Sequence, residues 1–364
     1  MGFLLRPHAL LRLVLLLLVP AVARADFESL PFALRLFLSV DRQSNYSSTL
    51  ARQASIAAFD GGSANPGAVA WRVPLEPATV VTGSFVDAPS TGGRTVIAAP
   101  VSLRWQVLSA GTIALAYAFT QTLHAGGDNG LTQSLRSDEW IGGYGRRLDE
   151  HSALGFTARL TSGTIVNDAS TPALGGALSR NSTRFLAPDV ALGYARDIGK
   201  ALTLGLVGSY GVARGHTTVT NVAPLLVPLP ALGTTLALPP DTVLALVDDT
   251  ISTVTLGAGF GLHPDDATAL YFDAKALRLS THHSGSQNLG RFAWGAEHTM
   301  HNGLIVRGGV GLDTIGKVNV SAGLGYRPTP SFEAQFAVQT NAAPELNPEL
   351  GRTRLLSASL AWIF

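Results

Sequence analysis

Residues 354–364 read Arg354-Leu355-Leu356-Ser357-Ala358-Ser359-Leu360-Ala361-Trp362-Ile363-Phe364, and their character alternates along the chain. The even-numbered positions after Arg354 are apolar and end in two aromatic residues, whereas the odd-numbered positions are mostly small and partly polar. Because successive side chains of a β-strand point to opposite faces, this period of two predicts a strand whose two faces meet different environments.

An alternating strand that ends on a phenylalanine resembles the C-terminal assembly signal of bacterial outer-membrane barrels. In those proteins the last strand closes the sheet, and aromatic side chains lie at the membrane interface. The resemblance implies that the barrel assembly machinery is a partner of this chain. Taken alone, the segment is also compatible with an edge strand of a soluble β-sandwich.

The composition favours a membrane barrel over a soluble domain. The chain is 46% hydrophobic and only 14% charged, whereas soluble domains are about 25% charged. After the N-terminus, the candidate stretch for a spanning helix is residues 223–247, which contains five prolines and is therefore a poor helix. An apolar chain without such helices is expected to distribute its apolar residues over many strands, and in lipid only a closed barrel satisfies the hydrogen bonds of strands.

Cysteine content and net charge exclude two further classes of protein. The chain has no cysteine, which excludes a disulfide framework. Its formal net charge of +1 gives no electrostatic footprint for a nucleic acid, so no nucleic-acid partner is expected.

The N-terminus has the pattern of a secretory signal peptide. Arg6 and Arg12 supply positive charge, residues 10–19 form an apolar core, and Ala23-Arg24-Ala25 is a small-x-small cleavage site. We expect residues 1–25 to be the signal peptide, with cleavage after Ala25, and the mature protein to lie in the bacterial outer membrane.

The rest of the chain divides into segments of the length that a tilted membrane strand needs. We predict strands at residues 78–87, 97–107, 111–123, 133–147, 151–165, 186–196, 200–213, 251–262, 266–280, 288–300, 303–313, 315–327, 331–341 and 352–364. The predicted fold class is therefore all-β, a transmembrane antiparallel β-barrel of about 14 strands over residues 78–364.

The connections give an independent test of this fold. If both ends of the barrel chain are periplasmic, every second connection should be a short turn. The predicted periplasmic turns are short, at residues 109–110, 148–150, 197–199, 263–265, 301–302 and 328–330. The opposite connections are longer except at Thr314, and lie at residues 88–96, 124–132, 166–185, 214–250, 281–287 and 342–351. This sorting weakens the β-sandwich alternative.

An extension of about fifty residues precedes the first strand. Residues 48–60 predict a short helix with Ser47 or Ser48 as its N-cap, and Asn65-Pro66-Gly67 follows. A simple porin would begin its first strand almost at once, so we expect residues 26–77 to form a plug, or hatch, in the barrel lumen.

This extension resembles the hatch of the FadL-type outer-membrane transporters, the long-chain fatty acid and aromatic hydrocarbon channels. Members of that family have a small-residue helix, an acidic turn and then Asn-Pro-Ala before the first strand. Here Asp60 stands at the acidic turn and Asn65-Pro66 at the Asn-Pro, whereas Gly67 replaces the alanine. The resemblance implies a barrel with an N-terminal hatch, passive transport of hydrophobic small molecules, no cofactor and a monomer.

The predicted loop at residues 214–250 is unusually apolar for an outer loop. One interpretation is a surface that captures an apolar ligand. The candidate residues are Leu225, Leu226, Val227, Leu229, Leu232, Leu236 and Leu238. The alternative is a loop that packs on itself over the barrel mouth or that binds lipopolysaccharide or a neighbouring protein.

Charged and amide side chains occur at positions expected to face the lumen. They are Arg104, Gln106, Arg159, Asp273, Lys275, Arg291, Glu297, Arg307, Asp313, Lys317, Glu333 and Gln335. The simpler interpretation is that these charges pair with one another and with hatch residues such as Arg52 and Asp60, since buried charges need partners. The sharper hypothesis is that Arg159 or Arg307 binds the carboxylate head group of a ligand.

Catalytic signatures are weak in this sequence. His282-His283-Ser284 lies in a predicted outer loop without an acidic neighbour, and the pairs Asp248-Asp249 and Asp265-Asp266 are more typical of turns than of metal sites. No G-x-S-x-G, H-E-x-x-H or P-loop motif is present. We therefore expect neither an enzyme nor a metal site.

These observations predict an outer-membrane channel for passive uptake of hydrophobic compounds, with outer-membrane lipid and lipopolysaccharide as its surroundings. A structural or assembly barrel without transport and a general diffusion porin are the alternatives. A plug of this length argues against the porin.

Overall fold

The structure is a computed structural model that describes residues 51–54, 56–57, 65–70, 78–88, 94–98, 101–107, 111–124, 133–171, 177–199, 201–229, 234–281, 285–314, 316–341 and 353–363. The predicted signal peptide, Asp60, Leu232 and the histidine pair at residues 282–283 lie outside this part of the chain. No helix within these ranges is both long and apolar enough to cross a membrane.

Almost all described elements are β-strands. They follow a short 3-10 helix at Pro66–Ala70. The strands are β1 (Ala78–Ala88), β2 (Arg94–Ala98), β3 (Val101–Val107), β4 (Gly111–His124), β5 (Gln133–Asp149), β6 (Ser152–Thr171), β7 (Ala177–Ile198), β8 (Leu202–Asn221), β9 (Leu225–Leu229), β10 (Thr234–Leu238), β11 (Val243–Leu262), β12 (Thr268–Thr281), β13 (Gly285–Thr299), β14 (Leu304–Asp313), β15 (Val318–Thr329), β16 (Phe332–Thr340) and β17 (Arg354–Ile363).

All of these strands except β9 and β10 form one antiparallel ring. Fifteen of them pair in a single sheet, and β17 also pairs with β1, from Ala78 opposite Ile363 to Asp87 opposite Arg354. The strands β2 and β3 share one position in the ring, since both pair with β1 and β4 in a common register. The predicted transmembrane β-barrel is confirmed, and no sheet edge is left at the seam between β1 and β17.

The alternation in the sequence separates the two faces of the ring. In β17, Leu356 and Leu360 are 38% and 41% exposed, whereas Leu355 is 1% exposed. Exposed large apolar side chains continue around the outer face on the other strands, among them Trp140, Leu160, Leu192, Tyr210, Leu256, Trp294, Val320 and Leu324. An apolar outer wall is what contact with lipid requires.

Short turns join the strands at one end of the ring, as predicted. Residues 150–151 connect β5 to β6, residues 263–267 connect β11 to β12, and residues 330–331 connect β15 to β16. Asp265 shapes the second of these turns. Its carboxylate accepts hydrogen bonds from the backbone N–H groups of Ala267 and Thr268 at 2.9 and 2.6 Å.

At the opposite end, two predicted loops are largely strand, and the sequence-based boundaries there were wrong. Residues 166–185 were expected to be a loop, but β6 continues to Thr171 and β7 begins at Ala177. In the expected loop at residues 214–250, β8 continues to Asn221, β9 and β10 form a separate hairpin, and β11 begins at Val243. Polar residues occur on both faces of these extensions, so the apolar alternation is lost there while the backbone ladder between the strands continues.

Candidate functional site

Residues 51–54, 56–57 and 65–70, here called the lumenal segment, lie against the inward-facing positions of the ring. Their contacts run from Gly145 on β5 through β8 and β12 to Ser321 on β15. Most of these positions are close to the short-turn end of their strands. The segment therefore crosses the lumen near that end.

Arg52 attaches the segment to β13 and β14 through charges. Its side chain, only 3% exposed, pairs with Glu297, which also accepts a hydrogen bond from Arg307 Nε at 2.6 Å. Arg307 Nη2 lies 3.3 Å from Glu333 Oε1, and Glu333 in turn accepts a hydrogen bond from Arg327 Nε at 3.1 Å. The result is a chain of alternating charges, so the buried arginines have carboxylate partners as buried charges require. The predicted pairing of Arg52 with a lumenal charge agrees with this geometry.

The predicted helix at residues 48–60 does not continue beyond Arg52. Gln53 has a φ of 63°, and the Ala54 N–H donates to the Arg52 carbonyl at 2.7 Å, so the chain turns sharply there. This turn directs Ile56 to β12, where its backbone N–H donates to Asp273 Oδ2 at 3.0 Å. The next residue accepts a hydrogen bond from β8, because Thr203 Oγ1 lies 3.0 Å from the Ala57 carbonyl oxygen.

Asn65 is the central polar anchor of the segment. The residue is 1% exposed, and its Nδ2 donates to the carbonyl oxygens of Ile56 and Tyr194, both at 2.9 Å. Its Oδ1 accepts a hydrogen bond from the Gly67 N–H at 2.9 Å. One amide thus fixes two separate parts of the segment to each other and to β7.

Glycines on the inner wall allow the segment to approach the strands closely. A Cβ on Gly155 of β6 would overlap the Pro66 carbonyl, and one on Gly193 of β7 would overlap the Asn65 side chain. Gly67 itself approaches the backbone of Gly193 and Ala195. The glycine at position 67 is therefore suited to a contact that a larger side chain would prevent.

The 3-10 helix after Asn65 packs in a small apolar layer. Ala68 and Ala70 contact Ala153 of β6 and Ala195 of β7, and all four residues are buried. Arg147 Nε approaches the Ala70 carbonyl oxygen at 3.4 Å. The predicted hatch residues Arg52, Asn65, Pro66 and Gly67 therefore all lie against the inner wall of the ring, Arg52 on β13 and the other three on β6 and β7.

The two candidate head-group arginines lie in different environments. The side chain of Arg307 is 4% exposed and belongs to the charge chain that holds Arg52. The side chain of Arg159 is 21% exposed, with Nη2 at 3.2 Å from Asp189 Oδ1 and Nη1 at 3.7 Å from Glu139 Oε2. Arg159 lies four residues beyond Gly155 on β6, about 13 Å farther from the short-turn end.

The β9–β10 hairpin carries most of the candidate capture residues. Leu225 pairs with Leu238 and Val227 with Leu236 across it. Asn221 supports its base, since Nδ2 donates to the carbonyl oxygens of Ala223 and Pro239 at 2.9 and 2.7 Å. The hairpin lies at the end of the ring opposite the lumenal segment, so the capture and hatch candidates are not brought together.

Sequence reasoning did not identify several partners of the segment. Thr203 and the Tyr194 carbonyl carry no signal that distinguishes them from other positions of the wall. Asp273 and Glu297 were recognised as lumenal charges, but their partners Ile56 and Arg52 lie more than 200 positions away in the sequence. Within the described ranges, no group of three or more histidine, cysteine or acidic residues could hold a metal ion.

Several solved structures share this architecture at low sequence identity. The CymD monoaromatic hydrocarbon channel is 12% identical, with a TM-score of 0.57 over 88% of this chain and 99% of that one. A Pseudomonas aeruginosa FadL homologue is 12% identical, with a TM-score of 0.60 over 87% and 98%. The Ralstonia pickettii toluene transporter TbuX is 12% identical, with a TM-score of 0.57 over 88% and 97%.

No protein-family model and no curated protein sequence matches the chain. At this level of identity the structural likeness establishes the fold, which is that of the FadL-type barrels.

Proposed function

We propose that this protein is an outer-membrane channel for the passive uptake of hydrophobic compounds. In this proposal residues 1–25 are a cleaved signal peptide, residues 26–77 form a hatch, and residues 78–364 form the barrel. The observation that carries the proposal is the attachment of the lumenal segment to the inner wall through Arg52, Ile56 and Asn65. A ring with an apolar outer wall and a bonded segment in its lumen suits a gated route better than an open pore.

The names of the structural neighbours support the same class of ligand. They are titled a monoaromatic hydrocarbon channel and a toluene transporter. Passage of such a ligand requires no cofactor, because a solute that moves down its concentration gradient needs only a sequence of surfaces that it can contact at low free energy. A general diffusion porin, in contrast, needs a lumen that is filled with water.

The β9–β10 hairpin is proposed as the first contact of the ligand. Its apolar residues stand at the long-connection end of the ring, which is the extracellular end in outer-membrane barrels. An apolar surface at that place can concentrate a poorly soluble compound at the barrel mouth.

Arg159 is proposed as the polar contact of a ligand that carries a carboxylate. It lies on the lumenal face between the hairpin and the lumenal segment, and its guanidinium is more exposed than that of Arg307. A carboxylate head group would share this arginine with Asp189 and Glu139 through charge-assisted hydrogen bonds.

The test is uptake by cells that lack their own transporter. Labelled long-chain fatty acid and labelled toluene would each be supplied to cells with and without the protein in the outer membrane. We expect faster uptake of at least one compound with the protein. The triple substitution Leu225→Ser, Leu226→Ser and Leu229→Ser should reduce that uptake at equal surface abundance.

A matched control changes residues of the same hairpin but keeps all of its apolar side chains. Thr234→Ser and Thr235→Ser alter β10 without removing an apolar side chain and should leave uptake at the wild-type rate. Uptake of neither compound by correctly inserted wild-type protein would overturn the proposal and favour a structural barrel. Rapid uptake of small hydrophilic sugars would favour a porin.

A further inference from the structure

A compact group of basic side chains lies on the outer wall of the ring, outside the lumen. Arg184 on β7 stands opposite His216 on β8, and Arg214 lies two residues before His216 on the same face. All three side chains are exposed. Directly opposed residues in a sheet have Cβ atoms about 5 Å apart, and diagonal neighbours about 7–8 Å, so the three basic groups can contact one ligand. We name Arg184, Arg214 and His216 the basic cluster.

The cluster begins where the apolar outer wall ends. On β7, Leu186, Val190 and Leu192 are 47%, 43% and 59% exposed, and the next outward-facing residue beyond Leu186 is Arg184. On β8 the outward positions from Leu202 to Val212 are apolar or glycine, and Arg214 follows. This apolar length of about eleven residues matches a tilted membrane strand.

The cluster is on the side of the long connections. It is farther from the short-turn end than the lumenal segment, and the short turns of outer-membrane barrels are periplasmic. The basic side chains therefore stand at the outer boundary of the membrane, at the level where the head groups of the outer leaflet meet their acyl chains.

The charge of the cluster is only partly balanced by its surroundings. Asp248 on β11 lies opposite His216, with 2.6 Å between its Oδ1 and His216 Nδ1. Within the described ranges, no carboxylate forms a salt bridge with Arg184 or Arg214. A further exposed arginine is Arg136 on β5. It stands opposite Thr164 on β6, which in turn stands opposite Arg184, so the two arginines lie in the same row across the strands.

We infer that the basic cluster binds the phosphorylated head group of an outer-leaflet lipid. Two arginines can bind phosphate oxygens through charge-assisted hydrogen bonds, and the apolar residues next to them contact the acyl chains. Continuity between the basic and apolar surfaces favours a lipid over an acidic protein, because a protein partner would not need the adjoining membrane-facing wall. This inference concerns the outer wall and is independent of the compound that passes through the lumen.

The test compares lipid binding by purified barrels in a neutral detergent. The probe is bisphosphorylated lipid A, and the variant is Arg184→Gln with Arg214→Gln. The matched control is Arg146→Gln with Arg196→Gln, which removes two exposed arginines from the short-turn end of the same wall. Because all four side chains are exposed, folding should be retained, and heat-dependent mobility on a gel checks this.

Wild-type protein and the control pair should retain lipid A in native mass spectrometry with dissociation constants within about twofold of each other. The Arg184 and Arg214 variant should bind about thirtyfold more weakly, as expected when two arginines near a charged membrane surface are removed. Dephosphorylated lipid A should bind the wild type as weakly as phosphorylated lipid A binds the variant.

Three outcomes would overturn the inference. One is equal binding by the wild type and the cluster variant, and another is an equal loss in the control pair. The third is displacement of lipid A by millimolar inorganic phosphate, which would assign the cluster to a free anion.

Discussion

The side-chain amide of Asn65 donates a hydrogen bond to the carbonyl oxygen of Tyr194 at 2.9 Å, across 129 positions of sequence. This bond joins the lumenal segment to β7. The same nitrogen also binds the Ile56 carbonyl, so the segment is held to itself and to the wall by one residue. Several hydrogen bonds that hold the segment therefore converge on one side chain, which a substitution can remove.

Replacing Asn65 by alanine should release the lumenal segment. The change removes three hydrogen bonds and leaves buried backbone groups without partners, at about 1–3 kcal/mol for each group. We expect larger single-channel conductance in planar bilayers, with little change in the thermal stability of the barrel. Asn221 is also 1% exposed and also donates two hydrogen bonds, but at the base of the β9–β10 hairpin. Asn221→Ala should leave conductance unchanged, and equal conductance in both variants would contradict the assignment of Asn65.

Removing the Glu297 charge should destabilise the protein strongly. Glu297→Gln leaves Arg52 and Arg307 without their shared carboxylate in a largely buried place, and breaking buried pairs costs about 3–5 kcal/mol. The free energy of unfolding can be measured with urea in phospholipid vesicles by tryptophan fluorescence. The control is Arg327→Gln at the exposed end of the same charge chain, where the expected loss is about 0–1 kcal/mol. Similar losses in the two variants would show that the burial of this chain of charges has no energetic consequence.

A side chain at position 155 should displace the segment without preventing barrel formation. The Cβ of Gly155→Ala would overlap the Pro66 carbonyl, whereas the Cβ of Gly142→Ala would meet only the Leu115 side chain at 3.9 Å. Because the chain has no cysteine, a single cysteine placed at the buried Ala68 reports the position of the segment. Its reaction with a maleimide should be at least about tenfold faster with Gly155→Ala than with Gly142→Ala. A tenfold difference corresponds to a loss of about 1.4 kcal/mol in the free energy that holds the segment against the wall. Equal rates would mean that the wall tolerates the added methyl group.

Substitution of Arg159 should separate two classes of ligand. If its guanidinium binds a carboxylate, Arg159→Gln should reduce fatty-acid uptake about tenfold, since a hydrogen bond to a charged group contributes about 1.5–3 kcal/mol. Toluene uptake should remain within about twofold. Arg180→Gln removes an arginine that pairs with Asp168 and is not among the candidate head-group residues, so it serves as the control. A parallel fall for both compounds would indicate a structural role for Arg159.

The turn at Asp265 should make stability depend on pH in the acid range. A hydrogen bond from Thr268 Oγ1, followed by one from the Ala267 N–H, holds the pKa of the Asp265 carboxyl below its ordinary value. The carboxylate therefore stabilises the fold above the ordinary pKa of aspartate, and this contribution is lost as the pH falls through the lower, folded-state pKa. Asp265→Asn should lower the midpoint of urea unfolding at pH 7 but have little effect at pH 2. The neighbouring exposed Asp266 provides the control, and Asp266→Asn should change neither midpoint.

The membrane-facing part of the fold was predictable because lipid and lumen impose opposite demands on alternate residues. Leu356 and Ser357 are an example, and the even and odd positions of β17 lie on the faces that the alternation predicted. The extensions of β6, β7 and β8 were missed because polar residues occur on both of their faces, so stretches such as residues 217–220 carry no apolar period of two. Pro228 also made a strand at β9 improbable, since proline lacks the N–H that a ladder uses.

The candidate site was predictable only as a set of residue types. Asn65 and Gly67 stood out as turn formers before the first strand, and Arg52 as a charge that needs a partner in the lumen. Their actual partners depend on which strand positions face the segment in three dimensions, and that information is distributed over the whole ring. The carbonyl oxygen of Tyr194 could not be identified, because every residue of a strand has a carbonyl group.

The seam between β1 and β17 bears on the order in which the ring closes and the lumenal segment enters it. The ring closes only after the last described strand has been synthesised, whereas the lumenal segment precedes the first strand. Ala78 at the start of β1 stands opposite Ile363, at the same end of the ring as the segment. Only residues 71–77 separate Ala70 from β1, so the segment can fold into the lumen from the short-turn side after closure. Assembly of this barrel therefore does not require the lumenal segment to pass through the full height of the ring.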